Sequence, residues 1–172
     1  MIVIDNPLTE LVAAANAVLR PDSHRTVIRS VTTAEMQRDA VSLFEENWQE
    51  NVRPLGIDRL ELNAPFYESL ERSGMLIILA AYLNETMVGY SVNMLMPHPH
   101  FTQITVCRND VFFVGAAWRA RAPMLLLRAT EAAAALRGAT RVAWTAKIGS
   151  PFMAWLPRVG YHAEETTFIK EI

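Results

Sequence analysis

One strand–loop–helix unit near the middle of the chain constrains the fold more than any other feature of the sequence. Residues 103–114 have the pattern of a long strand, with an irregularity at Arg108-Asn109-Asp110. Met124 to Arg137 is the clearest helical pattern, and Gly138 ends it. A strand at 141–146 follows. Such a unit is expected to form a right-handed crossover between parallel strands, with ligands bound where the helix begins.

The other patterns predict a mixed sheet with helices on both faces, an α/β (α+β) fold. Thr32 to Glu35 is a capping box at the start of a helix. Strands at 75–82 and 87–96 form a hairpin around the turn Asn84-Glu85-Thr86. Further predicted elements are a strand at 24–30, helices at 65–72 and 151–158, and a terminal strand at 161–172. The predicted buried face of the long helix is Leu125, Ala129, Ala132 and Leu136.

Length and composition favour a single domain, residues 23–172, with residues 1–22 as a helical extension packed on it. The formal charge of −2 gives no basic excess for a nucleic-acid or membrane partner. Cys107 is the single cysteine, so no internal disulfide forms, and its apolar strand predicts a core residue. No signal-peptide pattern and no bilayer-length apolar stretch is present, so we expect a soluble, cytoplasmic protein.

The segment from Asp110 to Leu125 resembles the acetyl-CoA-binding segment of the GNAT acyltransferases. In that family a strand ends in an apolar residue, and an aromatic residue and Arg/Gln-x-x-Gly-x-Gly/Ala then open a long helix. Val114, Trp118 and Arg119 match that pattern.

Two further segments carry the same resemblance. Residues 152–161 resemble the family's second signature, a short helix that ends in hydrophobic-Gly-aromatic. The Gly89-Tyr90 pair and residues 97–101 look like the GNAT proteins often encoded by bacteriophages. The resemblance implies a GNAT-like sheet of about six to seven strands.

The resemblance also implies acetyl-CoA as co-substrate. Its pyrophosphate would take N–H groups at the helix start, with Arg119 and Arg121 adding charge. The strand end at 112–114 would pair with the pantetheine arm. The implied binding residues are Phe112, Phe113, Val114, Trp118, Arg119, Ala120, Arg121, Ala122, Met124 and Leu125.

Several positions depart from the family pattern. Ala122 and Met124 stand where the family prefers glycine, and Pro123 removes one N–H donor. Leu156 stands where many members have a tyrosine that protonates the leaving thiolate. These changes predict weaker binding of acetyl-CoA and slower transfer.

Asp110 is the best-placed candidate for the catalytic base, since period-two alternation puts it on one strand face with Phe112 and Val114. Its other interpretation is the end of a bulge. His98 and His100 are alternative bases, and no metal site is expected.

Two functions remain open at this point. One is an acetyl-CoA-dependent N-acyltransferase acting on an amine of a small molecule or a protein. The other is a catalytically degenerate GNAT-fold protein, used as a structural or interaction protein of a phage. Glu45, Glu46 and Glu50 form the solvated side of their helix in either case, with a substrate role left open. A homodimer, a phage assembly partner and a place in the host cytoplasm or the virion are also left open.

Overall fold

The structure is a computed structural model that describes residues 26–53, residue 56 and residues 59–170. The predicted extension at 1–22 lies outside the described residues, as do the first two residues of the predicted strand 24–30. The strands are β1 (Thr26–Ser30), β2 (Leu76–Leu83), β3 (Thr86–Pro97), β4 (Thr105–Val114) and β5 (Arg141–Ala143). The α-helices of this part are α1 (Thr33–Asp39), α2 (Val41–Asn47), α3 (Ala64–Arg72), α4 (Ala122–Leu136) and α5 (Pro151–Trp155), and a π-helical turn (Trp48–Val52) continues α2.

The strands form one mixed sheet in the order β1-β2-β3-β4-β5. The first three pairs are antiparallel and β4 pairs with β5 in parallel, which confirms the predicted hairpin and the predicted parallel pairing. In the hairpin turn Asn84 and Glu85 both have positive φ, 47° and 65°, as tight hairpin turns require. The predicted capping box is also confirmed, because Thr32 and Glu35 exchange both of its hydrogen bonds.

Five strands are present in the described residues, fewer than the six to seven that were expected. Of the six strands located in the sequence, 161–172 is the one that does not form in its described part. Tyr161 packs edge-on against Trp144, with ring centroids 6.2 Å apart, and Glu164 lies 4.0 Å from Arg141. The described part of this segment therefore follows β5 in the antiparallel direction, but it forms no strand pairing. β5 has only three residues, and the segment after Tyr161 is exposed, so little burial supports pairing.

Helices cover both faces of the sheet, as the sequence predicts, and each face has its own core. Helix α4 packs on one face, and α1, α2 and α3 pack on the other. Cys107 is fully buried in the α4 core, where burial raises the pKa of its thiol to about 11. No helix in the described part of the chain is long and apolar enough to cross a membrane.

The buried face of α4 differs from the predicted one, and Leu136 is 43% exposed. The buried residues are Ala122, Leu126, Leu127, Thr130, Ala133 and Ala134. Thr130 explains the error, because its hydroxyl lies 2.9 Å from the Leu126 carbonyl oxygen and 3.2 Å from the Ser91 hydroxyl. Because its hydroxyl has hydrogen-bond partners, Thr130 can lie at the centre of the buried face. A search for apolar residues at helical spacing does not find such a polar residue.

β4 contains one residue more than the part of β3 that it pairs with. Val92 pairs with Val111 and Asn93 with Asn109, so Asp110 has no partner in the ladder. This β-bulge lies in the predicted irregularity and changes which side chains share a face.

Gly89 of β3 provides a test of how closely the two central strands approach each other. A Cβ atom at Gly89 would lie 2.8 Å from the Val114 Cγ2 atom and 2.9 Å from the Phe113 carbonyl oxygen. Because the backbone contact cannot be relieved by side-chain rotation, we expect Gly89→Ala to lower the free energy of unfolding by ~1–3 kcal/mol. Chemical denaturation measures this, with Thr86→Ala, exposed on the same strand, expected within ~0.5 kcal/mol of wild type. A Gly89→Ala variant as stable as wild type would contradict this close approach.

Candidate active site

β4 and β5 separate at the point where β5 ends. β5 pairs only with residues 106–108, whereas β4 continues to Val114. At this fork the Asn109 side-chain oxygen accepts a hydrogen bond from the backbone N–H of Thr145. Residues 110–114 therefore have an edge that no strand of the described chain covers.

The backbone groups of Phe112 and Val114 point to this open edge. Hydrogen-bonding groups alternate between the two edges along a strand. The N–H of Gly115 bonds to the Val88 carbonyl oxygen of β3 at 3.0 Å, so the groups of Val114 and Phe112 face the other way. Arg119 lies at this edge, where its Nε donates to the Val114 carbonyl oxygen at 2.8 Å.

A loop of small and basic residues leads from the open edge to the start of α4. Ala116–Trp118 forms one 3-10 turn, and Arg121 precedes the 15 residues of the helix. No side chain caps this helix start, although its first turn has N–H groups without helical partners and the positive end of the dipole. Together with Arg119 and Arg121, these groups can bind an anion.

The ten residues expected to bind acetyl-CoA divide into two groups. Five are exposed around the loop (Trp118, Arg119, Ala120, Arg121 and Met124), and five pack inward (Phe112, Phe113, Val114, Ala122 and Leu125). Ala122 is 2% exposed, so its methyl group faces the core rather than the loop. Of the two positions where the family prefers glycine, only Met124 adds a side chain on the outer surface.

Aromatic rings from β4, from the residue after β5 and from α5 line the fork. Phe112 stacks on Phe152, with centroids 4.9 Å apart, and Trp144 packs edge-on against both at 5.3 and 5.8 Å. Sequence reasoning missed Trp144, which follows a short strand with no motif around it. Leu156, at the position of the family's tyrosine, is 9% exposed and has no proton to donate.

Asp110 lies on a different face from Phe112 and Val114, and this corrects the predicted alternation. Its carboxylate accepts a hydrogen bond from the Tyr67 hydroxyl at 2.6 Å. Tyr67 lies on α3 and packs against the core on the face covered by α1, α2 and α3. Phe112 and Val114 pack with α4 instead. The bulge is the cause, because one additional residue shifts the alternation by one. The role of Asp110 as a base stays a prediction.

Two tyrosine hydroxyls accompany Asp110 on this face. Burial, and then the hydrogen bond to Asp110, raises the pKa of Tyr67 far above its usual value. Burial raises the pKa of Tyr90 to about 12, and Asn47 donates to its hydroxyl at 3.1 Å. Both hydroxyls are protonated at neutral pH. Sequence reasoning missed Tyr67, because 43 positions separate it from Asp110 and no local spacing links the two.

Two acidic residues of the α2 region contact the loop, so they are more than the solvated side of a helix. Glu46 accepts a hydrogen bond from the backbone N–H of Ala116 at 2.7 Å. Glu50 forms an ion pair with Arg119 at 2.5 Å. Glu45, in contrast, is exposed and accepts a hydrogen bond from the Gln49 side chain at 2.7 Å.

His98 and His100 lie at the other end of β4. Pro97 pairs with Thr105 at the start of β4, and nine positions of strand separate Thr105 from Val114, about 30 Å. The two histidines contact each other, because the His98 Nδ1 accepts from the His100 N–H at 3.1 Å. The two histidines therefore lie at the end of β4 away from Val114, and their role as alternative bases stays a prediction. Within the described residues no group of three histidine, cysteine or acidic side chains is placed to hold a metal ion.

Comparison with solved structures relates this arrangement to known proteins. An aminoglycoside acetyltransferase from an uncultured soil metagenomic sample superimposes with a TM-score of 0.70 at 17% identity, covering 86% of this chain and 99% of its own. The ribosomal-protein-alanine N-acetyltransferase of Brucella melitensis biovar Abortus 2308 gives a TM-score of 0.65 at 13% identity, with 86% and 99% covered.

This chain has the GNAT fold. A transcriptional regulator from Bacillus halodurans C-125 is similar to the same extent, with a TM-score of 0.69 at 12% identity and 86% and 100% covered. No protein-family model and no curated sequence matches the chain. At these identities the likeness shows the fold alone.

The tyrosines of this GNAT-fold protein allow a test of the packing around the site. Burial is the first cause of a raised pKa at all four, to about 12 for Tyr82, Tyr90 and Tyr161 and higher for Tyr67. An unfolded tyrosine ionises near pH 10. Because the folded values are higher, this contribution to stability is complete below pH 10 and is lost as the pH rises through about 12.

An absorbance titration of tyrosinate measures this effect. At pH 10 we expect little tyrosinate in the native protein and about half in the same protein unfolded in guanidinium. A native midpoint near pH 10 would contradict the burial of these rings.

Proposed function

We propose that this protein is an acetyl-CoA-dependent N-acyltransferase that moves an acetyl group to an amine of a small molecule or a protein. The observation that carries the proposal is the open edge of β4, which ends at an uncapped helix start flanked by Arg119 and Arg121. The fold is shared with an aminoglycoside acetyltransferase and a ribosomal-protein N-acetyltransferase, which supports an amine as acceptor. On this proposal the reaction takes place in the cytoplasm.

The residues around the fork suit the parts of acetyl-CoA. This co-substrate supplies the acetyl group as an activated thioester. The N–H groups of the first turn of α4, with Arg119 and Arg121, would hold the diphosphate. The outward backbone groups of Phe112 and Val114 would pair with the amides of the pantetheine arm, as an added strand would. Phe112 and Phe152 would provide its apolar wall.

Asp110 would accept the proton of the acceptor amine, directly or through a water molecule. Tyr67 fixes one oxygen of its carboxylate and leaves the other for the acceptor. The amine nitrogen forms a bond to the carbonyl carbon, and the bond from that carbon to sulfur breaks. Water would protonate the leaving thiolate, because Leu156 cannot.

One second candidate has specific support. Leu156 lacks the acidic proton, the loop donors bond to Glu46 and Glu50, and a transcriptional regulator has the same fold. These observations favour a protein that uses the fold for binding, such as a structural or interaction protein of a phage. Thiol release with a panel of amines separates the two candidates, because only the enzyme releases free CoA.

Binding of acetyl-CoA is the first test. We expect calorimetry to detect binding by the wild type at millimolar acetyl-CoA, and Arg119→Ala to weaken it by about tenfold or more, since a hydrogen bond to a charged group is worth ~1.5–3 kcal/mol. Arg128→Ala is the control, because Arg128 lies within α4, beyond the loop, and pairs with Glu131. No binding by the wild type would exclude the proposed enzyme.

The base is the second test. Asp110→Asn should fold and bind acetyl-CoA normally but lose ~10²-fold or more in turnover, the scale expected for a general base. Asp39→Asn is a control, because Asp39 also accepts a hydrogen bond from a tyrosine, Tyr82 at 3.0 Å, but lies on α1 and pairs with Arg38. A thiol-release assay with both variants measures the difference. An Asp110→Asn variant as active as wild type would exclude Asp110.

A further inference from the structure

The loop that would bind the diphosphate is held by two carboxylates of the chain itself. Glu46 binds the backbone N–H of Ala116 at 2.7 Å, and Glu50 binds the Arg119 guanidinium at 2.5 Å. The two acids are four positions apart and reach the loop from the same side of the α2 region. An anionic ligand at the loop would need the Arg119 group that Glu50 occupies.

Glu50 lies in a turn with unusual backbone geometry. The N–H of Arg53 bonds five residues back to the Trp48 carbonyl oxygen, so the chain there is a π-helix. Such turns are rare, and they are frequent at functional sites. The neighbouring Asn47 donates to the Tyr90 hydroxyl on the Asp110 side. The same short segment therefore contacts both the loop and the surroundings of Asp110.

We propose that Glu50 is an internal competitor of the diphosphate, and that its ion pair with Arg119 closes the loop until acyl-CoA displaces it. This rests on the proposed function, because it takes the loop as the CoA site. The pair can be displaced, since its side chains are 42% and 45% exposed and exposed ion pairs are weak. A diphosphate offers more charge and more acceptor oxygens to the same guanidinium. Glu46 holds a backbone N–H and does not bind Arg119, whose Nε donates to the Val114 carbonyl oxygen at 2.8 Å while the ion pair with Glu50 uses another guanidinium nitrogen.

The closed pair lowers the apparent affinity for acyl-CoA, because only molecules with a free Arg119 bind with full affinity. Removing the charge of Glu50 should therefore tighten binding, although this variant takes away a contact and adds none. A residue that only supports the fold would have the opposite effect, since its loss would weaken the site.

The test compares the dissociation constant of acetyl-CoA for wild type, Glu50→Gln and Glu45→Gln by calorimetry. Glu45→Gln also removes one negative charge, about one helical turn before Glu50. Glu45 is exposed and bonds to Gln49 rather than to the loop. We expect Glu50→Gln to bind about two- to fivefold more tightly, the value of an exposed ion pair, and Glu45→Gln to bind as wild type does. In the Arg119→Ala background, Glu50→Gln should have no effect, because the partner is absent.

Three results would overturn the proposal: Glu50→Gln binding no more tightly than Glu45→Gln, binding more weakly than wild type, or tightening equally in the Arg119→Ala background. Equal tightening in the Arg119→Ala background would mean that the negative charge of Glu50 repels acetyl-CoA at long range, not through its ion pair with Arg119. If the wild type binds and Glu50→Gln is unchanged, only the internal competitor fails. If neither protein binds acetyl-CoA, the proposed function fails with it.

Discussion

β4 has one residue more than its antiparallel neighbour can pair, and Asp110 is the residue left over. Beyond the bulge, Phe112 and Val114 pack under α4 while Phe113 packs with α1, α2 and α3. Without the additional residue, alternation would put Asp110 on the α4 face, in an apolar core that offers a carboxylate no partner. The bulge instead turns this carboxylate to Tyr67, so that one strand presents a polar group to one side and an apolar surface to the other.

The fork and the bulge meet in the same short stretch. Asn109 precedes the bulge and joins β4 to Thr145 through its side chain, at the place where the parallel pairing of β5 stops. The backbone beyond it is open on one edge, and the α2 region reaches the loop at its end through Glu46 and Glu50. The proposed acetyl-CoA side and the proposed amine side of the site are thus both contacted by α2 and its π-helical turn.

Local patterns in the sequence identified the elements whose cause is local. The capping box at Thr32 and the tight turn at Asn84 depend on residues within a few positions, and both are present in the structure. The loop before α4 was recognisable because the residues of its motif lie within one short stretch of the sequence. Partnerships across the chain were not: Tyr67 reaches Asp110 and Glu50 reaches Arg119 from distant segments. The sequence indicated an irregularity at Arg108-Asn109-Asp110 but not the face of Asp110, because which residue of a bulge is left unpaired depends on the register with β3.

The outward backbone groups of Phe112 and Val114 have a consequence for how such a protein changes over evolutionary time. N–H and C=O groups are the same for nearly every residue type, so an edge read through them places little constraint on the side chains above and below. Those side chains need only fill their core, and cores accept many apolar combinations. Substitutions can therefore accumulate along β4 without altering what the edge offers. Such freedom accords with the sequence identities of 12–17% between this chain and proteins of the same fold, where strand geometry is shared although most residues differ.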